Sequence, residues 1–309
     1  MTVQVSSSVT PRVARTRRMY PSAPTRLSAA GVLGEIAKYA LLAVLSASFV
    51  LPLYWMAMSA LKNLNQVFVI PPVWFPIPPR WINYVEAWQF DTFNLYTLNT
   101  VVRYAIPVTI GSVLSNVLVA YGFSRIYWRG RDVLFSICLM TMMIPGQVTM
   151  VPVFIIFKHL GWVNSYRPLV VPAFFANAYT IFMLRQFFRT IPRELSEAAL
   201  IDGAGEFTIM WRIIMPLVKP ALAVVALSAF MGAWNDYMGP LIYINQTHLY
   251  PLAMGLARLS AALNQPGIKG MVYPYMMAVS TIVTLPSVFI FFFAQRTFIE
   301  GIVLTGIKG

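Results

Sequence analysis

Apolar residues gather into six long runs, at about residues 36–61, 96–123, 133–157, 168–188, 219–244 and 274–298. Each is near the roughly 20 residues that a helix needs to cross a bilayer. The pattern therefore predicts six membrane-spanning helices, joined by polar or proline-rich connections. Several runs contain proline (Pro52, Pro107, Pro145, Pro152, Pro172, Pro286), which membrane helices tolerate where neighbours satisfy the freed backbone groups. Small residues such as Gly111, Ser112, Ser115 and Ala120 suit close helix–helix contact. The connection from Asn63 to Tyr96 carries Trp74, Trp81, Trp88 and five prolines, a stiff segment suited to the membrane interface. Another, about Asn245 to Tyr273, is polar and contains Gly267 and Gly270.

Composition agrees with the pattern. Hydrophobic residues make up 58% of the 309, charged residues 11%, and the mean hydropathy is +0.68. Soluble domains run at about 45–50% apolar and about 25% charged. So few charges cannot cover a soluble surface, and the chain reads as an all-α, polytopic membrane protein. A single cysteine, Cys138, rules out an intrachain disulfide. The net charge of +13 would suit nucleic acid, but its placement points elsewhere. Sixteen of the 23 Lys and Arg residues fall on one side of the six-span layout, among them Arg125, Arg129, Arg131, Arg185, Arg189, Arg193 and Arg212. By the positive-inside rule that side is cytoplasmic, with both termini on it, and no nucleic-acid partner is implied. Residues 1–34 hold five arginines and no acid among Ser, Pro and Thr, which predicts a disordered basic tail near anionic headgroups. A twin-arginine export signal at Arg17-Arg18 fits less well, because the following apolar run is long and lacks a convincing cleavage site.

One charged island interrupts the apolar pattern, from Arg193 to Pro220. Pro192 suits a first helical turn, and Glu194 and Glu197 favour the positive end of the helix dipole. Ser196, Ala198 and Ala199 keep that short helix slim, and Gly203 is its expected stop, since glycine adopts the left-handed conformation at little cost. A second amphipathic piece with Phe207, Trp211 and Ile214 leads to Pro216 and Pro220. The prediction is a helix, a glycine turn and a second helix, forming an elbow.

Here the chain resembles a known family. Glu197-Ala198-Ala199, three residues, Gly203, nine residues, Ile213, one residue and Met215-Pro216 is similar to the EAA loop of ABC-importer permeases. Asp202-Gly203-Ala204 matches the same wording, and Met215 stands where the family has leucine. Trp234-Asn235-Asp236-Tyr237 with Gly239-Pro240, and the closing Gly301–Gly309, resemble carbohydrate permeases of the maltose-transporter type. The resemblance covers about residues 96–309 and implies a MetI-like type I importer fold with a cytoplasmic coupling loop at 190–220. It implies a first helix and outer loop over 35–95 ahead of that core. It also implies a second permease subunit, two ATPase subunits carrying ATP and magnesium, and an extracytoplasmic solute-binding protein. Glu197, Ala198, Ala199, Asp202, Gly203, Ile213 and Pro216 would then engage the ATPase. The plainer alternative for the elbow is an ordinary interfacial amphipathic helix.

The chain's own chemistry is sparse. His159 and His248 are isolated, no zinc spacing occurs, and no GxxxxGK[ST] phosphate loop is present. No catalytic residue, metal ligand or cofactor site is expected, so any ATP hydrolysis belongs to a partner. Asp236 lies seventeen residues beyond Lys219, about 25 Å along a helix, in the outer half of the membrane. An ionisable group there should face a cavity or a partner. Asp236 can contact substrate, or pair structurally with Arg103 or a backbone group. Trp234, Asn235, Tyr237, Asn116, Gln147 and Asn177 complete the candidate path. The expected function is the permease subunit of an ATP-driven carbohydrate importer. A stand-alone secondary transporter or channel is the alternative, and the shortage of intramembrane ionisable residues speaks against it.

Overall fold

The computed structural model describes residues 29–262 and 269–306. The expected basic tail up to residue 28, residues 263–268 of the outer connection and the last three residues lie outside that description. Among the described residues all regular structure is helical. Two compact units are found, Met1–Pro52 and Leu53–Gly309.

In the first unit the described residues belong to the helix Ala29–Ala60, and the unit ends at the proline inside it. Side chains from Val32 to Leu51 are exposed, although the helix is apolar all round. Such a surface suits lipid rather than water. Glu35 and Lys38 pair at 2.6 Å on this helix, one turn apart.

The second unit contains the rest. Over both units, four helices among the described residues are long and apolar enough to cross a membrane, Val32–Ala60, Phe93–Ser124, Arg167–Thr190 and Val272–Gln295. The count reaches six when each of two bent pairs is one span. The third apolar run is one of these pairs: Arg131–Thr141 and Gly146–His159 meet at 97° rather than forming one helix. Pro145 explains the break, since it lacks an N–H and disfavours helical geometry at Ile144 before it. The other pair is Glu206–Leu217 with Lys219–Asn235, bent by 83°. At its other end the fifth run stays helical only to Asn235, where Asp236 turns extended, and Met238–Tyr243 forms a separate short helix. The connections after the first and fifth apolar runs are also more ordered than their composition suggested, with helices Ile82–Phe90 and Leu252–Ala262.

Among the described residues three buried clusters hold this unit, the smallest made by Tyr104, Ala105 and Ala233. The first joins Val117, Ala120 and Tyr121 of the Ile106–Ser124 helix to Leu184 and Phe188 of Ala178–Thr190, to Ala221 and Val225 of Lys219–Asn235, and to Ile209 and Ile214 of the elbow. The second joins Ala87, Phe93, Tyr96, Leu252, Tyr275 and Ala278. Around it the outer residues are tied by polar contacts: the Tyr275 hydroxyl donates to Glu86, which also pairs with Arg80 at 2.9 Å. Lys62 is almost wholly buried, with its ammonium 3.9 Å from the centre of the Trp55 ring. That cation–π contact offsets part of the lost hydration, and burial still pulls the ammonium below the usual lysine range.

Gly255 packs on the face of Tyr96, which is only 1% exposed and has no room to withdraw. A Cβ at that position would overlap the ring. Gly255→Val should therefore destabilise the protein by about 1–3 kcal/mol. The thermal unfolding midpoint of the detergent-purified variant measures this, and an unchanged midpoint would contradict the packing.

Candidate functional site

A broken span builds a polar-lined cavity. The Arg167–Thr190 span begins as Arg167–Val170, tightens to a 3-10 turn at Val171–Phe175, and restarts as Ala178–Thr190. At the break Ala176 has φ 61° and ψ 166°, a region costing a side-chain-bearing residue about 1–3 kcal/mol. The break frees backbone groups that lipid cannot satisfy. The neighbouring Ile106–Ser124 helix supplies their partners. Ser115 Oγ donates to the Ala173 carbonyl at 2.9 Å and accepts from the Ala176 N–H at 3.1 Å. Asn116 Oδ1 accepts from the Asn177 N–H at 2.8 Å. Asn177 then caps the new helix by accepting from the N–H groups of Tyr179 and Thr180.

Beside this break lies a cavity of about 520 Å³. Its polar lining comes from Ser112, Asn116, Asn177, Tyr179, Thr180 and Ser228, and none of its lining residues is charged. Of the candidate path, the structure brings together Asn116 and Asn177 here. Asn116 is committed to the scaffold: its Nδ2 donates to the Ser112 carbonyl at 2.6 Å while Oδ1 holds Asn177. The remaining candidates lie elsewhere. Trp234 is buried, stacks on Phe230 and donates from Nε1 to the Val283 carbonyl at 3.3 Å. Asn235 is exposed and bonds back to Met231, and Tyr237 and Gln147 are exposed outside the cavity lining. Asp236 accepts from the Tyr104 hydroxyl at 2.5 Å and from the Gly239 N–H at 3.0 Å. Its partners are thus Tyr104 and a backbone group rather than Arg103. Ser112, Tyr179, Thr180 and Ser228 escaped the sequence reading. Ser112 and Asn116, one helical turn apart on a common face, carried the available signal.

The elbow has the predicted form. Its first helix is Glu194–Ile201, with Glu194 and Glu197 in the first turn. Pro192 stands just outside it, because Arg193 takes the capping position. Gly203 has φ 82° and stops the helix as expected. Glu197, Ala198, Asp202 and Gly203 are exposed, while Ala199 is buried against the first core. The second arm, Glu206–Leu217, contains a π-helical stretch at Ile209–Ile214. Ile213 packs on the core and Pro216 is exposed in the last short helix. A contact absent from the sequence reading locks the elbow to a span: the Tyr121 hydroxyl donates to Glu206 Oε2 at 2.7 Å. The elbow also presents large apolar groups to the outside, with Ile201 87%, Phe207 68%, Leu200 48% and Leu195 44% exposed.

Residues 108–302 match the family described as binding-protein-dependent transport system inner membrane component. The chain belongs to that family. It is 30% identical to the "Probable ABC transporter permease protein YurM" of Bacillus subtilis, over 90% of each chain. It is 31% identical to the sn-glycerol-3-phosphate transport system permease protein UgpE of Yersinia pestis, over 82% of this chain and 90% of that one. It is 33% identical to the arabinooligosaccharides transport system permease protein AraQ of Halalkalibacterium halodurans, over 66% and 71%. Among solved structures, a chain of a bacterial ABC transporter involved in the import of the acidic polysaccharide alginate superimposes with a TM-score of 0.78. That likeness covers 87% of this chain and 98% of the other at 23% identity, and shows a common fold. The permease is thus a multi-pass inner-membrane component of an ABC importer and is not itself an enzyme.

The two roles open to Asn116, strut and solute contact, are separable. Asn116→Leu keeps the branching at Cγ and removes the acceptor, leaving the part-buried Asn177 N–H unpaired at a cost of up to about 1–3 kcal/mol. The variant should lose thermal stability with no solute present. Unaltered stability combined with altered uptake would instead make Asn116 a solute contact.

Proposed function

We propose that this permease forms, with a second permease subunit, the path of a carbohydrate importer driven by two separate ATPase subunits that bind ATP and magnesium. An extracytoplasmic solute-binding protein delivers the solute to the outer face. The orientation places both termini and the elbow in the cytoplasm, as the distribution of Lys and Arg supports. Residues 96–309 act as the permease core, after a first helix and outer loop at 35–95 and a basic tail at 1–34.

The carbohydrate reading rests on the cavity. Hydroxyls from Ser112, Thr180 and Ser228, the Asn177 amide and the Tyr179 ring surround a space of about 520 Å³ with no charged side chain in its wall. Such a lining suits a neutral polyhydroxylated solute, whereas a phosphorylated or carboxylated one would demand a cation. The name of AraQ is in line with a neutral sugar substrate, and the uncharged wall speaks against both the glycerol phosphate of UgpE and an acidic polysaccharide such as alginate. The wording Trp234-Asn235-Asp236 belongs to the same reading as a family mark, with its side chains bracing the outer end of the fifth span. Filling the cavity with Ser228→Trp should reduce uptake of neutral oligosaccharides by the assembled complex at least about tenfold. Uptake at the parent rate, or transport confined to phosphorylated solutes, would remove the cavity from the path or the sugar from the cavity.

Coupling to the ATPase falls to the elbow. Exposed Leu195, Leu200, Ile201 and Phe207 form an apolar surface around the slim helix, and Glu197 adds a charged group for hydrogen bonding in a cleft. A hydrogen bond to a charged group there contributes about 1.5–3 kcal/mol. Gly203 fixes the angle between the arms, and a side chain at its φ of 82° costs about 1–2 kcal/mol. Gly203→Asp and Glu197→Ala should each leave the permease in the membrane while lowering transport and the ATPase recovered with it. Full transport with full ATPase recovery in both variants would sink the coupling assignment.

A further inference from the structure

Where two spans end and the elbow begins, a pocket of about 180 Å³ is lined by Ser124, Arg125, Arg189, Ile191 and Arg193. Ser124 closes the Phe93–Ser124 span and Arg125 follows it. Arg189 lies in the last turn of Ala178–Thr190, and Arg193 caps the first elbow helix. Part of this arrangement has a structural explanation. Arg125 Nη2 donates to the Phe188 carbonyl at 2.5 Å and to the Ile191 carbonyl at 2.7 Å, occupying oxygens at the end of a helix.

That task does not exhaust the pocket. Arg125 Nε is buried and has no hydrogen-bond partner among the described residues. Arg189 and Arg193 are exposed, and among the described residues neither has a carboxylate within ion-pair distance. Of the nearby acids, Asp132 pairs with Arg131 and Arg185 and Glu206 accepts from Tyr121, while Glu194 and Glu197 on the elbow helix are exposed and form no ion pair among the described residues. Burial, together with the charge of Arg193, holds the Arg125 guanidinium below its ordinary value against the opposing influence of Tyr121. Three guanidinium groups and a nearby serine thus share a small concavity with no carboxylate paired to them among the described residues. Guanidinium forks match the oxygens of a phosphate group, and the pocket sits where spans end, at the level of lipid headgroups.

We propose that the Arg125–Arg189–Arg193 pocket binds a phosphate group, borne by an anionic phospholipid headgroup or free in solution, and that the bound group ties the ends of two spans to the elbow. The inference stands on the pocket alone and is independent of which solute the permease carries.

The test uses the full-length permease purified in an uncharged detergent, titrated with short-chain phosphatidylglycerol, short-chain phosphatidylcholine and sodium phosphate. Binding and the thermal midpoint are both read. Phosphatidylglycerol should bind saturably and raise the midpoint, with an affinity that falls as salt rises. Arg189→Gln with Arg193→Gln spares the Arg125 cap and should weaken that binding about tenfold or more, while the Lys pair at the same positions retains part of it. Sodium phosphate that binds equally, and is lost in the Gln pair, supports the site with free phosphate as its source. Absence of binding by either anion overturns the proposal. So does salt-insensitive binding by the parent, phosphatidylcholine binding as tightly as phosphatidylglycerol, or a Gln pair that binds like the parent.

Discussion

The second unit depends on paying the hydrogen-bond demands of a span that breaks inside the membrane. A continuous helix satisfies its own backbone, and in lipid no water is present to serve a gap. At Ala173–Asn177 the chain nevertheless leaves α-helical geometry, with Ala176 in a strained conformation. Ser115 and Asn116 on the adjacent helix meet that demand. Because the partners sit on another span, the break also fixes how the two helices pack. The cavity beside it follows from the same geometry, since Ala173, Ala176 and Asn177 form part of its wall.

The helices that wall the cavity also grip the elbow. Ser112 and Asn116 share a helix with Tyr121, Tyr179 and Thr180 with Phe188, and Ser228 with Ala221 and Val225. Tyr121, Phe188, Ala221 and Val225 pack with Ile209, Met210 and Ile214 of the elbow in one core. From Ser112 to Tyr121 is nine residues, about 14 Å along a helix. A displacement of the elbow therefore reaches the cavity wall through two or three turns of stiff helix. Packed cores resist gradual deformation, so such a load favours movement of whole helices. The Tyr121–Glu206 bond adds a polar tie at the joint, 2.7 Å long and accepted by a carboxylate.

What was legible in the sequence divides along local and long-range lines. Helix content, the elbow and its glycine stop rest on local rules of periodicity and backbone freedom, and the structure has them where expected. The breaks at Thr141–Gly146 and at Asp236 were foreshadowed by Pro145 and Pro240, yet a proline inside an apolar run does not reveal whether a helix kinks or turns by 97°. The cavity was only partly readable. Asn116 and Asn177 stood out as polar residues in apolar runs, but their pairing across 61 residues, and the commitment of Asn116 to a backbone N–H, are properties of packing. Ser112 read as a small residue for helix contact, which is how such residues mostly serve in membranes, and nothing local distinguished Thr180 or Ser228.

Asp236 shows how intramembrane charge should be weighed. An ionisable residue in a span is by default a functional candidate because burying it is costly. Here both carboxylate oxygens have donors, Oδ2 from Tyr104 and Oδ1 from Gly239, and the residue sits where the Lys219–Asn235 helix stops. The carboxylate thus joins two spans and closes a turn, which accounts for its presence without a solute. In the proposed solute path, the groups with spare hydrogen-bonding capacity are the hydroxyls of Thr180 and Ser228 and the Asn177 amide in the uncharged wall. On the proposed carbohydrate reading such a wall accepts many polyhydroxylated shapes, and the finer choice between sugars would fall to the wall that the proposed second subunit closes.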